Sequence, residues 1–164
     1  MGLSTLARVF LFLHVTVAVL VVGTGYVYPI LMKQMKQKGP GRPPIIRTMS
    51  VMEKAFTVPF VFIQPITGLG LILTTHDRWN PFHAANRWLF AALILFVALM
   101  VLELFVSAPA VKGMAELAAA GKYDDEAFDK ILGRLEKIGP AFGILFIIIT
   151  VLMVLKPGAN VPHF

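Results

Sequence analysis

The chain has 164 residues, 57% of them hydrophobic and only 15% charged, and its mean hydropathy is +0.78. Soluble domains carry roughly a quarter charged residues, so the composition excludes an ordinary soluble globule and points to one integral membrane domain over 1–164. The net charge is +6, and the chain has no cysteine, which excludes disulfides, thiolate metal sites and cysteine nucleophiles.

Four apolar runs reach or approach the ~20 residues that cross ~30 Å of hydrocarbon as a helix. They lie at about 9–32, 55–75, 88–108 and 138–155. The expected fold is therefore all-α, an antiparallel bundle of four transmembrane helices. The first run is longer than a signal core and no small-x-small cleavage site follows it, so it reads as a retained span. Pro29 falls late in this span, and Gly23 and Gly25 allow close approach to its backbone.

Span one also holds His14. An ionisable side chain in a span is costly and is a functional candidate by default. A neutral imidazole can ligate haem iron or another metal through one nitrogen and be oriented through the other. His14 lies roughly 12 Å from the outer end of its helix. Matching depths place Gly68, Leu95 and Ile148 in the same layer, with Gly68 where a macrocycle could lie flat. The alternative is a histidine bonded to a neighbouring hydroxyl such as Thr67.

The loop after span one, Lys33 to Arg47, contains Gly-Pro-Gly-Arg-Pro-Pro, which reads as a helix break. Met32, Met35, Met49 and Met52 flank it. Thioethers suit copper(I), but this irregular spacing fits packing better. Span two carries Pro59, Pro65, Gln64, Thr67, Gly68 and Gly70, whose small and hydroxyl side chains suit helix contacts. The connection from His76 to Arg87 is short, with Asn80-Pro81 as its turn, and makes spans two and three a tight hairpin.

Span three holds Glu103, expected roughly 7–8 Å inside the cytoplasmic end and paired there with Lys54, Arg134 or Lys137, a reading favoured over a proton-relay role. The next loop contains an amphipathic stretch capped by Asp124 or Asp125, with Phe128, Ile131, Leu132, Leu135 and Ile138 at helical spacing. It is expected as a short cytoplasmic helix that lies on the surface or leads straight into span four, which Pro140 opens. No internal repeat is apparent.

The connections between spans one and two and between spans three and four hold 11 of the 15 basic residues. The positive-inside rule places both in the cytoplasm and both termini outside. In a chain this apolar the basic loops answer to topology and lipid headgroups, and no nucleic-acid partner is expected. The expected location is a bacterial inner membrane.

Several short motifs carry a resemblance over nearly the whole chain. Span one has Leu13-His14 and then Tyr28-Pro29; span two opens with Met52-Glu53-Lys54 and closes with Gly68-Leu69-Gly70-Leu71. Span three opens with Trp88-Leu89-Phe90-Ala91, and span four runs from Lys137 and Pro140 to Lys156-Pro157. In these the chain resembles bacterial four-helix membrane proteins: HemJ-type protoporphyrinogen oxidase, the CopD-like copper-resistance domain and a related family of predicted integral membrane proteins. The resemblance implies haem binding at His14. It does not extend to HemJ-type oxidase activity, because the basic residue of that family's span-three pattern is replaced by Ala92.

The leading expectation is thus a membrane protein that binds b-type haem through His14, with Gly68 beneath the ring, for electron transfer or haem handling. A second is a non-enzymatic subunit without cofactor, in a homo-oligomer or a larger membrane complex. A third is copper handling by His14, His76, His83 or Met153.

Overall fold

The structure is a computed structural model that describes residues 3–75, 81–82 and 84–157. Every regular element among them is helical. Helix α1 (Thr5–Met35) is span one. Span two is α2 (Arg42–Met52) and α3 (Val58–Thr74), joined by a π-bulge at Glu53–Thr57. A 3₁₀ turn at Ala84–Asn86 leads into span three, which is α4 (Arg87–Leu102), a second π-bulge at Glu103–Ser107 and α5 (Ala108–Ala119). Span four is α6 (Glu126–Leu155). All four helical runs are long and apolar enough to cross a membrane.

The spans pack in a ring in chain order. α1 lies against α3, α2 against α5, α4 against α6, and α6 closes back on α1. Side chains that face outward remain apolar, among them Phe12, Val19, Leu73, Phe105 and Val154. That inversion of the soluble pattern is expected where lipid is the solvent.

One boundary differs from the sequence reading, and a second takes one of the two forms expected of it. The break after span one covers only 36–41, because Pro43 and Pro44 open α2 instead of blocking it. Proline at the first helical positions removes an N–H that has no partner anyway. Gly39 takes φ 121° in this turn, a conformation that glycine adopts without strain. The amphipathic stretch at Phe128–Ile138 leads straight into span four as the first turns of α6, the second of the two expected arrangements.

Burial concentrates at the end of the bundle where the first and third connections meet. Met32, Met35, Ile46, Met49, Val111, Met114, Phe128, Leu132 and Leu135 form one cluster there. Three of the four methionines flanking the first loop thus fill a core, the role that unbranched, adaptable side chains suit.

Arg42 closes this end. Its side chain is 2% exposed. Nε donates to Met35 O at 2.7 Å, and Nη1 reaches Tyr123 O and Asp129 Oδ1, each at 2.8 Å. The guanidinium also stacks 5.1 Å over the Phe128 ring. Lys38 pairs with Asp129 at 3.0 Å, and Gly39 N donates to Asp124 at 2.9 Å. Lys38 and Arg42 thus share one carboxylate. We predict that Asp129→Asn lowers stability at pH 7 and pH 8 alike by about 1–2 kcal/mol, because the buried Arg42 guanidinium loses its charged partner. Thermal unfolding in detergent at the two pH values checks this.

Candidate functional site

Two polar centres lie inside the bundle. The first is at His14. Thr67 Oγ1 donates to Gln64 O at 2.9 Å or Ile63 O at 3.1 Å. It therefore accepts from His14 Nδ1–H at 3.0 Å, which leaves Nε2 to accept from the Gln64 amide at 3.1 Å. Gly68 sits directly under the imidazole, and a Cβ there would lie 3.1 Å from His14 Cε1. Gly70 likewise makes room for the Phe10 ring.

The glycines of span two therefore seat side chains of span one, and the hydroxyl partner anticipated for His14 is Thr67. Both ring nitrogens are engaged by α3, and the imidazole itself occupies the space over Gly68. In this arrangement the residues do not fit an axial haem ligand unless Nε2 leaves Gln64. Among the described residues no three His, Asp or Glu side chains gather as a metal cage would. His76, His83 and His163 lie outside the described residues. We predict that Gly68→Ala displaces the imidazole and costs about 1–2 kcal/mol through overpacking; thermal unfolding measures the cost, and the histidine ring NMR signals report the displacement.

The second centre lies deeper, roughly 21 Å along α1 from His14 at 1.5 Å per residue. Span two reads Glu53-Lys54-Ala55-Phe56-Thr57-Val58-Pro59, and span three reads Glu103-Leu104-Phe105-Val106-Ser107-Ala108-Pro109. Each proline lacks an N–H and its ring crowds the carbonyl four residues back. The helix widens to accommodate it. Val58 N–H reaches back five residues to Glu53 O, and Ala108 N–H does the same to Glu103 O. Such single-turn bulges recur at functional sites. Here each bulge turns a glutamate and a hydroxyl inward together. Glu53, Thr57, Glu103 and Ser107 are all buried, and the two glutamates are 4% exposed.

Their side chains meet. Tyr28 Oη donates to Glu53 Oε2 at 2.5 Å and lies 3.2 Å from Thr57 Oγ1. The Glu103 carboxyl lies beside that of Glu53 and beside Ser107. One oxygen of each glutamate, Oε1, is buried without a hydrogen-bond partner. An ionised carboxylate only accepts, so a hydrogen bond between two carboxyls requires a proton on one of them. Among the described residues no salt bridge reaches either glutamate. A cavity of about 70 Å³ lies against this group, lined by Tyr28, Thr57, Glu103, Ser107 and apolar side chains. That is room for a few waters.

Two expectations are corrected here. Among the described residues Glu103 makes no salt bridge with Lys54, Arg134 or Lys137, which are all exposed; its charged neighbour is an acid, Glu53. It also lies midway along the 33-residue run Arg87–Ala119, not near its end. Composition alone truncated that helix at the small and charged residues after Ala108, whereas α5 continues through them.

Fold and site together define a four-span helical membrane protein with a buried carboxyl pair held by two matched helix bulges. The chain belongs to the family described as predicted integral membrane protein (DUF2269), which it matches over residues 8–157. The match takes in most of each span and both bulges, and it supports the membrane-family part of the resemblance without reaching HemJ or CopD. No curated protein and no solved structure matches the chain.

Proposed function

We propose that this protein is a proton-exchanging component of a bacterial inner membrane, which loads and releases one proton at the Glu53–Glu103 pair. The observation that carries the reading is the pair itself: two carboxyls from different spans, each 4% exposed, each with an unpartnered oxygen. A charge within the membrane is expensive. A carboxyl pair that passes a proton in and out changes charge by one unit at a time and keeps a hydrogen bond while protonated. Tyr28 holds the Glu53 oxygen, and the small cavity admits water to the Glu103 side.

The distribution of Lys and Arg supports an orientation with residues 36–41 and 120–125 in the cytoplasm and both termini outside. The carboxyl pair then lies nearer the cytoplasmic face and His14 nearer the outer one.

Haem binding at His14 rests on the resemblance and requires Gln64 to give up Nε2. Copper handling would need histidines beyond the described residues. An accessory role in a larger complex or homo-oligomer gives no reason for two unpartnered carboxyl oxygens in the bundle. Proton exchange accounts for them directly.

The test is a proton count. The purified protein in detergent, titrated across neutral pH, should take up about one proton more than Glu103→Gln, as linkage requires of an exchanging group. Equal counts for two folded proteins would remove the basis of the proposal.

A further inference from the structure

Between spans one and four lies a second, larger hollow of about 470 Å³. That volume falls within the range of sites for drug-sized ligands, ≈ 300–1,000 Å³. It faces outward from the bundle, between α1 and α6. It shares Gly25, Pro29, Met32, Gly139, Phe142 and Phe146 with the cavity beside Glu103.

The wall between the two spaces is thin because two of its residues are glycines. A Cβ on Gly25 would lie 3.6 Å from the Phe146 ring, and one on Gly139 would lie 3.7 Å from the Met32 methyl. The side chains of Phe146 and Met32 therefore stand where the groove meets the cavity, and a rotamer change in either widens the passage.

The polar character of the groove is one-sided. Pro29 has no N–H, so the carbonyl of Gly25 lacks its helical donor; Pro140 does the same to the carbonyl of Glu136. Lys36 and Glu136, at the cytoplasmic end, neutralise each other at 3.1 Å. Beyond the wall stands the unpartnered Glu103 Oε1. Tyr28, which offers a hydrogen, spends it on Glu53. The walls are otherwise apolar and aromatic, and a ring face favours a cation.

We propose that this groove is the lateral entrance for a lipophilic organic cation, which passes between spans one and four and exchanges with the proton of the Glu53–Glu103 pair. This rests on the proton-exchange reading and names its substrate class. An anion meets the two freed carbonyls and the buried carboxyls along this path, with its one ammonium, Lys36, already paired to Glu136, and a neutral lipid chain leaves the buried carboxyl oxygens unanswered. A cation that displaces one proton leaves the net charge of the buried site unchanged, so the membrane penalty for charge is not incurred.

The experiment is equilibrium binding of tetraphenylphosphonium to the full chain in detergent, with tetraphenylborate as an anion of matched size and shape. The cation should bind in preference to the anion, release about one proton per molecule bound, and weaken as pH falls. Glu103→Gln should weaken it at least ten-fold, whereas Glu103→Asp, which keeps the charge, should restore it to within a few-fold. Glu53→Gln provides a second site variant in case the first does not fold. Equal binding of the anion, or unchanged cation affinity in a folded Glu103→Gln protein, overturns the proposal. If the proton count distinguishes wild type from Glu103→Gln but the cation fails to bind, the entrance is refuted and the proton-exchange reading stands. If neither responds, both fall.

Discussion

The double variant Glu53→Leu, Glu103→Leu should be at least as stable as the wild type and should exchange no proton, while either single variant should lose about 2–3 kcal/mol. Removing one member of a buried polar pair strands the other and leaves its desolvation uncompensated. With Glu53 gone, Tyr28 keeps only Thr57, and Glu103 loses its neighbouring carboxyl. Replacing both with apolar side chains of similar size removes the need for either partner, and such replacements are often neutral or stabilising. The coupling between the two positions should accordingly be several times the error of a thermal unfolding experiment, as expected for residues in contact. Two destabilised singles beside a stable, inert double would establish that the pair serves activity and not the fold. A double variant whose loss is the sum of the singles would show the two glutamates to be independent.

Arg42→Met should cost about 3 kcal/mol, the largest effect expected outside the carboxyl pair. The arginine is nearly inaccessible and binds five partners at once: the carbonyl that ends α1, the carbonyl of Tyr123, the Asp129 and Asp124 carboxylates and the face of Phe128. Methionine retains most of the apolar volume but returns none of these bonds; it strands two carbonyls and leaves Asp129 with Lys38 alone. Arg42→Lys should recover little, because a single ammonium cannot reproduce the planar fork that reaches Met35 and Asp129 together. Thermal unfolding in detergent measures both. The proton count of the carboxyl pair should be unchanged in whatever fraction stays folded, because Arg42 touches none of its members.

The membrane fold was legible from hydropathy because lipid demands a long unbroken apolar run, and that demand is written into composition. His14 was legible as an isolated polar residue, and Thr67 stood as an example of its hydroxyl partner in the alternative to a ligand role. The carboxyl pair was not legible in the same way. Glu53 sits beside Lys54 at the end of a run of polar residues, so hydropathy assigns it to an interface; its inward turn comes from a proline six residues later and the bulge that this proline forces. The signal existed as a short repeat, Glu-x-x-x-Thr/Ser-x-Pro, present once in span two and once in span three. A search for repeats of whole spans passes over it. Glu103 was singled out correctly as a buried acid but given a basic partner, because pairing with a second acid needs a shared proton that sequence does not display. Arg42 was counted only as a positive charge in a loop, although it closes the core.

The most direct test of the shared proton is infrared difference spectroscopy of the purified protein between two pH values either side of neutral, read in the carboxylic acid C=O stretch. The account predicts a band that grows on acidification, is lost in Glu103→Gln and is retained in His14→Ala. A pH difference spectrum that is the same in wild type and in folded Glu103→Gln would contradict it.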